Sequence, residues 1–453
     1  MLYNKDIYSV NIKEQINYFR QHRFVKNLAI LQVGNFSNTF IQGLTGIIIA
    51  RLLQPELFGI YAISFSLAGL LVLVVSFGIQ DTGATLVGGT YAREDHQGTK
   101  EIFIFLGRMI FVIAVLSGIA IFVAPSLAGK IYHNPLIGWY AGILVLASFI
   151  SNTFLNFSAL AYQVVGKIKQ MTLLTFADQT LRNILAVLLV AGGLGITGAM
   201  SGHLLGAVVM LVVSIIAWER LRKNHSIFPS VREFFTKTPG LQIRKHVSFS
   251  AWVALDKNIA TLFNLLPILM VALYVSTTEV TYFKISLAYI NLVLGLMGPI
   301  STLLNVELPR MREGDPNSLR KNFIKVSLYS LLCSVVLTAG ALIVSPIALK
   351  ILYGHSFLPG IKYILGLGIY GAFLGLGVGL GSMWRALHKV KISILINTIT
   401  LAIGIPGGLY LISHFGVWGA VVMISAWFTI SHIVSFFYIL KHMRKVEREL
   451  PVI

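Results

Sequence analysis

The segment Gly195-Ile196-Thr197-Gly198-Ala199 decides the fold, because it returns in the second half as Gly416-Val417-Trp418-Gly419-Ala420. A second pair keeps the same order and an offset of roughly 222 residues: Gly166-Lys167-Ile168-Lys169 returns as His388-Lys389-Val390-Lys391. Many secondary transporters consist of two repeated helical halves around a central site. The repeat therefore predicts two structurally similar halves.

The composition excludes an ordinary soluble protein, since 56% of the residues are hydrophobic, 12% are charged and the mean hydropathy is +0.79. The net charge of +19 is common in nucleic-acid-binding proteins, but here the basic residues lie between apolar runs. That distribution follows the positive-inside rule, so we expect no nucleic-acid partner. There is no paired metal-ligand pattern, phosphate loop or convincing nucleophile motif. We expect neither an enzyme nor a protein with a bound cofactor.

The apolar runs predict an all-α integral membrane protein with about twelve transmembrane helices, in two six-helix repeats around a central cavity. The spans lie near 25–50, 58–80, 102–125, 136–165, 171–192, 198–218, 247–275, 281–306, 323–345, 360–384, 392–412 and 417–440. They divide the chain into an N-terminal cytoplasmic or interfacial segment (1–24), an N-terminal bundle (25–218), a basic cytoplasmic linker (219–246), a C-terminal bundle (247–440) and a cytoplasmic tail (441–453).

The distribution of lysine and arginine predicts the orientation. With these spans, 29 of the 36 basic residues fall on one side of the membrane, which is the side of both termini. By the positive-inside rule that side is the cytoplasm. The other side receives Arg51, Lys130, Lys284, Lys350 and Lys362.

Two basic residues fall within the predicted spans, Arg182 in span 5 and Lys257 in span 7. Each lies roughly 15 Å from the span's start at a rise of about 1.5 Å per residue. A basic residue at mid-bilayer costs about 2.5–3.5 kcal/mol, so it is usually functional. Asp178 lies four residues before Arg182, and Asp256 precedes Lys257. Either these charges neutralise each other and join helices, or the bases line a hydrated cavity for a phosphate-bearing substrate.

Span 1 carries Asn35, Asn38 and Gln42 along one helical stripe. In the repeat, Asn258 of span 7 occupies the position that corresponds to Asn35. A polar stripe facing lipid is unfavourable. The stripe therefore faces the central cavity or a hydrogen-bonded seam between helices.

Two histidines and a glycine-rich run also lie within the spans. His203 and His432 are candidate proton carriers, although a lone membrane histidine is more often packed or hydrogen-bonded. The run from Gly366 to Gly381 favours an interrupted helix in span 10.

One stretch resembles a known family. Residues 49–61 read Ile-Ala-Arg-Leu-Leu-Gln-Pro-Glu-Leu-Phe-Gly-Ile-Tyr and are followed by Phe77-Gly78-Ile79. This is similar to the first hairpin of bacterial polysaccharide-export flippases, in the multidrug/oligosaccharidyl-lipid/polysaccharide exporter superfamily. The family pattern there is "AR-L-P--FG-Y". Asp256, followed by the polar exit loop Ser276-Thr277-Thr278-Glu279, also resembles the family.

The resemblance implies two bundles that form a V-shaped cavity and move undecaprenyl-diphosphate-linked oligosaccharides across the bacterial cytoplasmic membrane. It also implies membrane lipids, a polysaccharide polymerase and chain-length machinery as partners. We expect Arg182, Lys257, Asn35, Asn38, Gln42 and Asn258 to line the cavity. Asp178 and Asp256 are candidates for coupling to H+ or Na+.

Two other functions are alternatives to this one. A small-molecule or multidrug exporter of the same superfamily would carry cations, which favour unpaired carboxylates within the membrane. Here two bases match the two acids. A membrane glycosyltransferase or polymerase generally needs a large external loop or a soluble catalytic segment, and the predicted exterior connections are all short.

Overall fold

The hydrocarbon core of a bilayer contains no water that could bond to backbone N–H and C=O groups. Helices satisfy these groups within the segment, and this chain is built from helices. The computed structural model describes residues 23–76, 79–225, 227–236, 258–259, 261–298, 300–301, 303–304, 308, 316–387 and 389–449. None of these residues forms a β-strand.

The first half contains six long or medium helices in chain order. They are α1 (Arg23–Ser76), α2 (Ile79–Ala92), α3 (His96–Tyr132), α4 (Pro135–Val164), α5 (Ile168–Leu189) and α6 (Gly195–Asn224). A π-helical turn, Val190–Leu194, joins α5 to α6.

The rest of the described chain contains nine further helices. They are α7 (Val231–Thr236), α8 (Thr261–Val271), α9 (Thr277–Leu294), α10 (Pro316–Leu352), α11 (Ile361–Gly366), α12 (Gly368–Leu374), α13 (Leu380–Ala386), α14 (Val390–Phe415) and α15 (Val417–Glu449).

The helices match the predicted number of spans. Eight apolar helical stretches in the described chain are long enough to cross a bilayer, and two of them, of 47 and 57 residues, are each long enough for two crossings. In α1 the break between two crossings is at Gln54, whose φ is 61°, just before Pro55. The segments His355–Gly366 and Gly368–Ala386 form one broken span bent by 56°, within the predicted glycine-rich run. Counting the stretches of 47 and 57 residues as two crossings each and adding the broken span and the short apolar helix α8 gives about twelve crossings in the described chain. The predicted fold class is therefore confirmed.

The described part of the predicted linker is docked on the first half. Trp218 of α6 donates a hydrogen bond from Nε1 to the carbonyl oxygen of Pro229 at 3.1 Å. Lys100 of α3 pairs with Glu233 of α7 at 2.9 Å. Phe234 of α7 is 2% exposed and completes an aromatic cluster with side chains of α3, α4 and α6. The first part of the linker is therefore fixed to the N-terminal half. The orientation and the domain boundaries stay predictions.

We expect Phe234→Ala to destabilise this end of the protein by about 3–5 kcal/mol, because it leaves a cavity among buried rings. A thermal melt of the purified protein in detergent would show this as a lower midpoint. The matched control is Phe437→Ala, since Phe437 is 63% exposed on the outside of α15. Equal midpoints for the two variants would contradict the docking of α7.

Candidate functional site

A cavity of about 520 Å³ lies within the membrane region and is lined by α1, α4, α5 and α6 of the first half and by α9 of the second. Its walls combine aliphatic and aromatic side chains with a set of polar ones. The polar side chains are Gln42, Thr45, Tyr61, Ser148, Asn152, Gln179, Arg182, Asn183, His203 and Lys284.

Close packing of α6 on α5 positions one wall of the cavity. Gly198, Gly202 and Gly206 recur every four residues on α6 and face α5. A Cβ atom on Gly202 would overlap the backbone of Ala186, and one on Gly206 would overlap Arg182. Small residues at this spacing allow two membrane helices to approach closely. The contact holds the backbone of Arg182 against its neighbour.

Arg182 forms the predicted ion pair with Asp178. Its Nη2 atom donates to Asp178 Oδ2 at 2.5 Å, and Ser151 of α4 donates its hydroxyl to Asp178 Oδ1 at 2.5 Å. The Asp178 side chain is 2% exposed, whereas that of Arg182 is 15% exposed and lines the cavity. Arg182 Nε has no hydrogen-bond partner in the described part of the chain. The Asp178 carboxylate thus joins α4 to α5 through Ser151, and its partner Arg182 presents a guanidinium to the cavity.

Lys284 supplies a second cation to the same cavity, from the other half of the chain. The sequence analysis placed Lys284 on the exterior side, but it lies within α9, seven residues after Thr277. It is partly buried and has no ion-pair or hydrogen-bond partner among the described residues. The predicted basic residue of the second half, Lys257, lies outside the described residues, as does Asp256.

The predicted amide residues are only partly brought together. Gln42 lines the cavity and donates from Nε2 to Gln179 Oε1 at 2.9 Å. Asn258 donates to a backbone carbonyl of α1 at 3.2 Å, which joins the two halves. Asn35 is exposed and Asn38 is partly buried, and neither is among the residues that line this cavity. The substrate-binding role of all four predicted amides stays a prediction.

Aromatic rings form another wall that the sequence analysis did not assign. The Tyr61 hydroxyl and His203 Nε2 are 3.3 Å apart, and their ring centroids are 6.5 Å apart. The Phe65 ring lies 5.9 Å from that of His203. His203 is therefore packed and hydrogen-bonded, which was the alternative to a proton carrier. The four-residue spacing of Tyr61 and Phe65, which places both on one helical face, was the available signal.

The two halves meet at the end of the molecule that the charge distribution places outside. Thr281 of α9 donates its hydroxyl to the carbonyl oxygen of Pro55 at 2.5 Å. Ser356 donates to Gln54 Oε1 at 3.0 Å. Both acceptors lie at the break of α1. These hydrogen bonds join the two halves at this end of the molecule.

Known proteins of similar sequence and structure can now be set beside this geometry. The family model described as "Polysaccharide biosynthesis protein" matches residues 48–362. The chain belongs to this family. Among curated proteins, none matches the sequence.

Solved structures show the fold. An inward-facing multidrug resistance MATE family transporter of the MOP superfamily has a TM-score of 0.77 at 15% identity, covering 91% of this chain and 96% of that one. The outward-facing conformation gives 0.64 at 14% identity, covering 95% and 98%. A eukaryotic MATE transporter gives 0.63 at 15% identity, covering 94% and 100%. This multi-pass membrane protein therefore has the fold of a transporter superfamily, and the predicted family and fold are confirmed.

Removing one partner of the Asp178–Arg182 pair should destabilise the protein by about 3–5 kcal/mol, because an uncompensated charge stays buried. We expect Asp178→Asn and Arg182→Met each to lower the thermal midpoint. The double variant should recover part of the loss, since neither charge remains. Strictly additive losses in this cycle would show that the two side chains do not stabilise each other.

Gly59→Leu should open the exterior contact. A side chain at Gly59 would overlap the carbonyl oxygen of Thr277, so the halves must separate there. In a Cys333→Ser background, a cysteine replacing cavity residue Ser148 should then react faster with a membrane-impermeant maleimide added outside cells.

The matched control for this experiment is Gly340→Leu, because a Cβ on Gly340 has no atom within 4 Å. It should leave the labelling rate unchanged. Equal labelling rates for the two glycine variants would contradict the predicted role of the Gly59–Thr277 contact in closing the cavity to the outside.

Proposed function

We propose that this protein flips polyprenyl-diphosphate-linked oligosaccharide repeat units across the bacterial cytoplasmic membrane, for polysaccharide biosynthesis, by alternating access. The family match supports a role in polysaccharide biosynthesis. The observation that carries the proposal is the pair of cations, Arg182 and Lys284, that enter one cavity from the two halves.

The charges of this cavity favour an anion. Asp178 compensates Arg182, and no described acidic residue compensates Lys284. No carboxylate is among the residues that line the cavity in the described chain. A cationic drug would meet like charge here with no acid to bind it, so the multidrug alternative has less support. A diphosphate would offset the uncompensated lysine.

The available donors suit a diphosphate. Lys284 carries three N–H donors, and the Arg182 side chain, which is 15% exposed, lines the same cavity. Charge-assisted hydrogen bonds to phosphate oxygens are about twice as strong as neutral ones. The Gln42–Gln179 pair lines the same cavity with further amide groups. A head group bound by both halves would couple its own position to their relative movement.

The TM-score to the inward-facing MATE family transporter is 0.77, and that to the outward-facing one is 0.64. The higher score supports an inward-facing state of this chain. In this state the exterior contacts of Gln54 and Pro55 are closed and substrate loads from the cytoplasm. Breaking these contacts opens the cavity outward. An inside-negative potential favours outward movement of an anion by about 2.3 kcal/mol per charge per 100 mV.

Coupling to H+ or Na+ fits the return step. When a phosphate takes Arg182, Asp178 loses its counter-charge and can accept a proton, with Ser151 still hydrogen-bonded to it. Asp256 is the matching candidate from the second half. The ion would enter from the outside in the outward-facing state, stay at Asp178 while the cavity returns, and leave to the cytoplasm when the Asp178–Arg182 pair re-forms.

Binding of undecaprenyl diphosphate to the purified protein, measured by native mass spectrometry, tests the head-group site. We expect Arg182→Ala and Lys284→Ala each to weaken binding by roughly 10–100-fold, because a hydrogen bond to a charged group contributes about 1.5–3 kcal/mol. The matched control is Lys350→Ala, since Lys350 is exposed at the end of α10.

The same preparation separates the two candidate functions. Binding that neither cavity variant alters would reject the proposed head-group site. Tight binding of a cationic dye such as ethidium, without binding of the lipid diphosphate, would favour the multidrug exporter instead.

A further inference from the structure

A second cavity, of about 230 Å³, lies within the second half of the chain. It is bounded by α13, α14 and α15 and by Phe263 of α8. It shares no lining residue with the charged cavity. Asn397 lies seven residues, or roughly 10 Å, from the start of α14. By the predicted orientation, the pocket is nearer the cytoplasmic side.

Five polar side chains line this pocket: Ser393, Asn397, Ser431, His432 and Ser435. Ser431 donates to Asn397 Oδ1 at 2.8 Å, which leaves the two N–H groups of Asn397 Nδ2 as donors. In the described part of the chain, Asn397 Nδ2 and the hydroxyls of Ser393 and Ser435 have no hydrogen-bond partner. Ser435 is only 5% exposed. Ser393 and Asn397 are partly buried, so all three groups remain available to a polar ligand in the pocket.

Aromatic rings form the remaining wall. Phe263 and Trp384 are buried, and Phe428 lies edge-on to His432 with ring centroids 5.8 Å apart. His432 Nδ1 lies 3.4 Å from the carbonyl oxygen of Phe373, which holds the ring in place. The pocket thus combines donors and acceptors with apolar ring surfaces.

The chemistry of the lining excludes three ligand classes. Among the described residues, no Asp, Glu, Lys or Arg lines the pocket, so neither a cation nor a diphosphate would find an opposite charge there. An acyl chain would leave the polar groups without partners. A neutral sugar fits both the polar and the aromatic wall of the pocket. Its hydroxyls donate and accept hydrogen bonds, and its C–H faces pack on aromatic rings. The volume equals roughly eight water molecules, which suits one sugar ring.

The polar residues are not required by the fold. In the register that aligns Gly416–Ala420 with Gly195–Ala199, Ser431 and His432 correspond to Met210 and Leu211 of α6. Those side chains pack in apolar clusters of the first half. One half therefore closes this position with apolar groups, whereas the other keeps it open and polar.

We propose that this pocket binds one neutral sugar residue of the substrate while the charged cavity holds the diphosphate. The identity of the carrier rests on the proposed function. The presence of a sugar site in the second half rests on the pocket itself. Two separate contacts, one in each region, would let the protein recognise the glycan as well as its lipid carrier.

Tryptophan fluorescence of the full-length protein in nanodiscs tests the site. N-acetylglucosamine, glucose and galactose serve as probes, and sodium diphosphate and sodium chloride as controls. We expect at least one sugar to change the emission saturably, and Trp384→Phe to remove the response. Trp427→Phe should keep it, since Trp427 packs against Gly404 and does not line the pocket.

Replacing Ser431 and His432 by Met and Leu, the residues of the first half, should weaken sugar binding at least tenfold. Ser435→Ala, a smaller change, should weaken it several-fold. Both variants should keep wild-type affinity for undecaprenyl diphosphate, which shows that they fold.

Several results would overturn the proposal: no response to any sugar, a response that survives the double substitution and Ser435→Ala, or an equal response to diphosphate. The two proposals fail separately. Lipid diphosphate binding without a sugar response rejects the sugar pocket alone. A sugar response with lipid diphosphate binding insensitive to Arg182 and Lys284 rejects the head-group site alone.

Discussion

The ion pair between Asp178 and Arg182 is the interaction on which the organisation of the first half depends. An isolated cation at this depth costs about 2.5–3.5 kcal/mol. The pair offsets this cost at 2.5 Å, and Ser151 adds a hydrogen bond from α4 to the same carboxylate. The carboxylate therefore joins α4 and α5 at the cavity wall. Structural and functional readings of the pair are compatible, because one face of the guanidinium is satisfied while its Nε remains unpartnered in the described chain.

The glycines of α6 make this arrangement possible. Gly202 and Gly206 bring the backbone of α6 against α5, so the side chain of Arg182 has little room except toward Asp178 and the cavity. Lipid provides no hydrophobic force between helices, and close packing must supply the association energy. The same close approach recurs between the halves, where Gly59 lies against Thr277. Between α5 and α6, the glycines allow close backbone packing that fixes one wall of the cavity. Between the halves, Gly59 makes a contact in which few side chains would have to separate.

The sequence predicted the span number and the Asp178–Arg182 pair, because hydropathy and helical spacing are local properties. It named Arg182 and Gln42 as cavity residues, but it did not predict the rest of the lining. Lys284 was assigned outside because the charge count treats residues near a span boundary as loop residues, and that boundary is uncertain by several residues. Gln179 has an ordinary spacing, and only tertiary packing shows that it lines the same cavity as Tyr61. Asn35 and Asn38 lie on the predicted stripe, but the stripe continues beyond the cavity's end.

The two halves illustrate how an internal repeat can conserve a fold while its side chains diverge. The glycine motif at the start of α6 recurs at the start of α15, where it sets the same helix contact: Gly419 packs against α14 as Gly198 packs against the end of α5. About three turns further on, the side chains differ. In the first half, Arg182 lines the charged cavity and Met210 packs in an apolar cluster. In the second half, Ser431, which corresponds to Met210, lines the neutral pocket. Backbone packing thus preserves the repeat, and divergence at positions that packing does not fix permits different chemistry in each half.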